Sequence, residues 1–140
     1  MMKARKKFQP LSSKDVCLIY QSLVSAGEVS FPLTEGAQLK TDALVANING
    51  ANFGVPHYQS AEEKTVAYLY FIIKNHPFTD GNKRTALIAF TTLVELNELK
   101  FSDSYFGSQE SLEMLPILVE KIKLEDHQEL IKLLSQALFV

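Results

Sequence analysis

The sequence predicts an all-α fold, one helical bundle carrying a single short flap. Three observations lead there. Apolar residues recur every three or four positions in segment after segment of the 140-residue chain. No alternating apolar–polar run of strand type interrupts them. Two helix starts are marked by a serine with an acid three places on, Ser12 with Asp15 and Ser60 with Glu63. The chain has the length of one ordinary domain, and folding at this size hides roughly two-thirds of the unfolded surface, enough for a self-sufficient core.

The elements follow in order. Behind Ser12, Val16, Ile19, Leu23 and Val24 recur at helical spacing until Gly27 offers a stop. Residues 28–40 contain Pro32 and Gly36 and read as a loop. A short helix from about Thr41 to Asn49 turns Leu44, Val45 and Ile48 inward, and Gly50 ends it. Asn49 to Gln59 mixes two glycines and a proline with Phe53, Val55 and Tyr58, which suits a loop or short hairpin. From Ser60 a helix runs to about Lys74 with Val66, Leu69, Tyr70 and Ile73 on one stripe, and Pro77 stops it. Asn82 to about Asn97 forms a second strong helix. Ala86, Leu87, Ala89, Phe90, Leu93, Val94 and Leu96 nearly cover its circumference, predicting the buried central element. Leu112–Ile122 and Asp126–Leu138 read as two further amphipathic helices, with Pro116 awkward inside the first.

Composition narrows the function. Lys plus Arg total 14 against 16 Asp plus Glu, a net charge of −2, which disfavours a general nucleic-acid binder. Cys17 is the only cysteine, so neither an internal disulfide nor a Cys-rich zinc site can form, and its apolar neighbours mark it as a buried small hydrophobe. Residues 1–10 read as a flexible basic lead and 11–140 as a single domain. No apolar run approaches the roughly 20 residues of a membrane span, and none of signal-peptide length follows the basic start, so a soluble cytoplasmic protein is expected.

The chemistry concentrates between the two strongest helices, in His76-Pro77-Phe78-Thr79-Asp80-Gly81-Asn82-Lys83-Arg84. This turn leads into a helix N-terminus, where unpaired N–H groups and the helix dipole favour an anion. Gly81 permits a positive φ, so successive N–H groups can curl into a nest for phosphate oxygens. Lys83 and Arg84 sit poorly beside a dipole that is already positive, unless a phosphate binds there. Asp80 suits either an N-cap or a magnesium ligand, since Mg²⁺ is commonly held by one or two carboxylates plus substrate phosphates. His76 is the group of the turn whose ordinary pKa lies near neutrality (about 6.5), suited to take a proton from a hydroxyl. Taken singly, each residue also fits a cap, a plain turn or a solvated face. Together they point to nucleotide chemistry.

The stretch HPFTDGNKR resembles the signature loop of the Fic/Doc family, H-P-F-x-[D/E]-G-N-[G/K]-R, and the resemblance extends over about residues 50 to 98. It implies a helical bundle of the Fic/Doc type and a nucleotide-dependent transferase that modifies a hydroxyl of a target protein. His76 is then the general base, Asp80 binds Mg²⁺, Gly81 and Asn82 shape an anion hole, and Arg84 holds nucleotide phosphates. Phe78 anchors the loop in the core. Lys83 departs from the glycine usual in adenylyltransferases and matches Doc-type kinase toxins. Phosphoryl transfer from ATP is therefore the first expectation, with AMP transfer, or a silent Fic-like regulatory or binding module, as alternatives. The resemblance also places a target-docking flap at Asn52, Phe53, Gly54, Val55, Pro56, His57 and Tyr58, adding a target segment as a strand. The family's inhibitory pattern, [S/T]-x-x-x-E-[G/N], is absent: Ser30 to Glu35-Gly36 is one residue too wide. Inhibition is therefore expected from a separate antitoxin-like partner, and a homo-oligomer remains open. His127, among charges, reads as solvated.

Overall fold

The computed structural model describes residues 6–123 and 125–140, so the first half of the basic lead lies outside the described residues. Of the rest of that lead, Phe8 packs against the core, and Gln9 exchanges two hydrogen bonds with the Asn97 amide. Helix α1 (Ser13–Ser25) begins in a full capping box: the Ser12 hydroxyl accepts from Asp15 N–H and the Asp15 carboxylate from Ser12 N–H. Gly27, at φ 76°, turns the chain away from it.

Helix α2 (Glu35–Asn49) starts six residues before the expected Thr41. The Thr34 hydroxyl caps it by accepting from Ala37 N–H. Ala37, Thr41, Leu44 and Ile48 then form its buried face. Gly36, read from sequence as part of a loop, sits in the first turn, where a glycine disturbs the helix least.

The expected flap is a two-stranded antiparallel hairpin, β1 (Ala51–Asn52) and β2 (Val55–Pro56), with Asn52 opposite Val55. Phe53 and Gly54 link the strands at φ 51° and 80°, the two positive angles a type I′ turn requires.

Helix α3 (Ala61–Asn75), capped by Ser60, is buried without a break from Thr65 to Ile73 and packs against α2 and all the later helices, α4 (Asn82–Leu96), α5 (Gln109–Lys121) and α6 (His127–Leu138). The central element is therefore α3. The prediction for α4 is corrected: Leu96 is 41% exposed, and Lys83, Arg84 and Ile88 also face outward. A 3-10 turn at Ser104–Gly107 precedes α5, which begins three residues earlier than Leu112 because the Ser108 hydroxyl caps it. Phe101 pairs with Phe139 in an antiparallel bridge and their rings stack, closing the bundle beside Phe90. No helix among the described residues is long and apolar enough to cross a membrane.

Candidate active site

The turn from α3 to α4 is built by conflicting local demands. Pro77 bars helical geometry to the residue ahead of it. His76 accordingly leaves α3 in the left-handed region, at φ 46° and ψ 59°. Phe78 folds inward to 3% exposure and stacks on Tyr20 of α1, with ring centroids 4.1 Å apart and planes 4° from parallel. The Tyr20 hydroxyl in turn donates to the Phe31 carbonyl. The turn is thus fastened to α1 and to the α1–α2 loop.

Asn82, the first residue of α4, is 5% exposed and makes the second fastening. Its Oδ1 accepts from Phe78 N–H at 3.0 Å, and its Nδ2 donates to the Phe78 carbonyl at 2.8 Å. The same Nδ2 lies 3.0 Å from His76 Nδ1. Gly81, at φ 78°, lies under Val29, where a Cβ would meet Val29 Cγ2 at 2.7 Å.

No side chain caps α4. Its first internal bond runs from Thr85 N–H to the Gly81 carbonyl, leaving the N–H groups of Asn82, Lys83 and Arg84 without partners among the described residues. Asp80 does not cap the helix. Its Oδ1 accepts from Gly81 N–H at 2.7 Å. The Thr85 hydroxyl is buried with no hydrogen-bond partner among the described residues.

The cations each meet a carboxylate from a distant element. Lys83 Nζ lies 2.8 Å from Glu120 on α5, and Arg84 Nη1 donates to the Glu28 carbonyl at 3.1 Å with the Glu28 carboxylate at 3.9 Å. The Lys83 hydrogen bond holds the Glu120 carboxyl below its ordinary value. Lys74 donates to the carbonyls of Glu120 and Ile122, covering the end of α5 and fixing where Glu120 stands. Thr79 through Arg84, with His76, Glu28 and Glu120, wall a cleft of about 280 Å³.

The residues singled out from His76 to Arg84 therefore converge on one cleft, except Phe78 and Pro77, which support it from beneath. The flap does not line it. Phe53 is fully exposed and Val55 57% exposed. His57 Nδ1 meets the Asn47 carbonyl at 2.7 Å, and Tyr58 is a buried anchor edge-on to Phe71. His127 is exposed as expected, and its ring also lies against Tyr70 and Phe71 with Nδ1 bonded to the Tyr70 hydroxyl. Cys17 is buried, and burial pushes its thiol up. Sequence reasoning missed Tyr20, Glu28, Val29 and Glu120, none of which carries a local signal.

No group of three or more acidic, histidine or cysteine side chains among the described residues is placed to hold a metal by itself. Asp80 alone stands at the helix tip, a donor set that suits a divalent ion arriving with phosphate oxygens as its other ligands.

Fold and turn together define an all-α domain organised around an anion-receptive helix terminus, with an imidazole and two cations at its rim. The chain belongs to the Fic/DOC family, whose model matches residues 10–94. It is 31% identical over 91 residues to the toxin Doc of Mycolicibacterium smegmatis, a likeness covering 61% of this chain and 67% of that protein. No solved structure matches it.

Proposed function

We propose that the protein is a Doc-like toxin that moves a phosphoryl group from ATP to a hydroxyl of a target protein in the cytoplasm. The observation that carries this reading is the α4 terminus. Three consecutive N–H groups without partners among the described residues, a left-handed glycine and two cations share one cleft with an imidazole. The N–H groups of Asn82, Lys83 and Arg84 bind phosphate oxygens, and the side chains of Lys83 and Arg84 neutralise them. His76 takes the proton of the acceptor hydroxyl. The oxygen then forms a bond to the γ-phosphorus as the bond from that phosphorus to the β–γ bridging oxygen breaks, releasing ADP. Asp80 would hold Mg²⁺, which supplies charge neutralisation to the phosphates.

Lys83 favours γ-phosphoryl over AMP transfer, because a long cation in the first turn changes how closely the polyphosphate can approach the backbone. The exposed hairpin tip, with Phe53 and Val55 outward, suits docking of an extended target segment. The likeness to a protein named a toxin, together with the missing internal inhibitory pattern, supports a separate antitoxin-like partner that restrains the chain.

Cell extract incubated with Mg²⁺ and either α- or γ-³²P-ATP tests the reading. Label is expected on protein from the γ-position, and His76→Ala should slow its transfer by roughly 10²–10⁴-fold. Label from the α-position instead means AMP transfer. Absence of any label means a binding module.

A further inference from the structure

Asn82 does more than close the turn. Its amide has two distinguishable ends, and the Phe78 peptide decides which is which. The N–H of Phe78 must meet an acceptor and its carbonyl a donor, so Oδ1 faces the N–H at 3.0 Å and Nδ2 the carbonyl at 2.8 Å. With the amide so oriented and buried, the second hydrogen of Nδ2 points at His76 Nδ1, 3.0 Å away. An imidazole nitrogen that receives a hydrogen bond carries no proton itself. In the neutral ring the proton then resides on the other nitrogen.

We infer that Asn82 is a positioning residue that holds neutral His76 with its proton on Nε2, the nitrogen left for the cleft. On the reading of His76 as proton acceptor, the resting turn is held out of its base-competent form. It offers the cleft an N–H donor, suited to a phosphate or hydroxyl oxygen, and has no free lone pair there. Accepting a proton at Nε2 first requires the ring proton to reside on Nδ1, where it would confront the Nδ2 hydrogen. The contact must therefore open before the ring acts: either the amide turns over, giving up both Phe78 bonds, or the ring leaves Asn82. Substrate binding is the event placed to open it, since the cleft and the contact share the same imidazole.

His57 is a built-in contrast. Its Nδ1 lies 2.7 Å from the Asn47 carbonyl, which can only accept, so its neutral proton is on Nδ1.

The test is long-range ¹H–¹⁵N correlation of the imidazoles in the ¹⁵N-labelled full chain at about pH 8.5, above the ordinary histidine range. Signals are assigned by comparison with His76→Gln. His76 is expected to show a protonated Nε2 and a bare Nδ1, with His57 showing the reverse. In Asn82→Ala the His76 pattern should move towards a mixture of the two forms. A wild-type His76 with its proton on Nδ1 overturns the inference, and this spectrum alone decides it if Asn82→Ala does not fold. An unchanged pattern in a folded Asn82→Ala overturns the role given to Asn82. No nucleotide or target is needed, so failed transfer in the labelling assay and a failed tautomer assignment are separate results.

Discussion

Gly81 answers two requirements at one position. Its φ of 78° lies in the left-handed region, and the space where a Cβ would stand is filled by Val29 Cγ2 at 2.7 Å. The first costs a non-glycine residue on the order of 1–3 kcal/mol. The second forces Val29 out of the core wall. Gly81→Ala is therefore expected to lower the unfolding free energy by about 1–3 kcal/mol and to weaken pyrophosphate binding, checked by urea denaturation and by calorimetric titration. A stable variant with unaltered affinity would contradict the nest. The glycine, the imidazole and both cations were legible in the sequence, because each residue type carries its chemistry wherever the fold puts it. Glu28 and Glu120 were not. They stand 56 and 37 residues from the cations they meet, and isolated glutamates on surface segments have no local signature.

Among the elements, α3 governs stability. Leu69 has no exposed surface, while Leu39 on α2 is 61% exposed. Leu69→Ala should cost about 2–5 kcal/mol, from lost transfer energy and the cavity left behind, whereas Leu39→Ala should stay within about 0.5 kcal/mol. Chemical denaturation of both variants checks the contrast, and equal losses would refute α3 as the centre. Helices α1 and α3 could be read directly, because Ser12 and Ser60 announce them and apolar stripes sustain them. The start of α2 could not, since Gly36 and nearby Pro32 are ordinary loop residues and the Thr34 cap has no acid three places on to announce it; packing of Ala37 and Thr41 onto the bundle joins that cap in holding the start. The rank of α3 over α4 was hidden for a related reason. An apolar circumference shows that a helix can be buried all round, but the number of neighbours decides whether it is.

For the molecule as a whole, four tyrosines of the five share one property. Tyr20, Tyr58, Tyr68 and Tyr70 are all raised, chiefly by burial, and Tyr58 reaches about 12. A raised phenol keeps its proton in the folded state after the unfolded chain has lost it. The tyrosines' contribution to stability is thus present in full below about pH 10, the ordinary tyrosine value, and is lost as pH rises from there towards Tyr58's value of about 12. Ultraviolet titration beside fluorescence-detected unfolding should show tyrosinate appearing together with loss of structure. Ionisation of all five at ordinary values in intact protein would contradict the burial. Tyr20 has a second consequence. Its stack with Phe78 binds the α3–α4 turn to the first helix, so Phe78 cannot leave its place without disturbing the bundle, whereas the Phe53–Gly54 tip is exposed. Deuterium from solvent would enter the tip within moments and reach the Phe78 amide, held by Asn82 Oδ1, far more slowly. On the proposed reading, a stiff turn suits a cosubstrate of one fixed shape, and a compliant hairpin tip suits target segments of varied sequence.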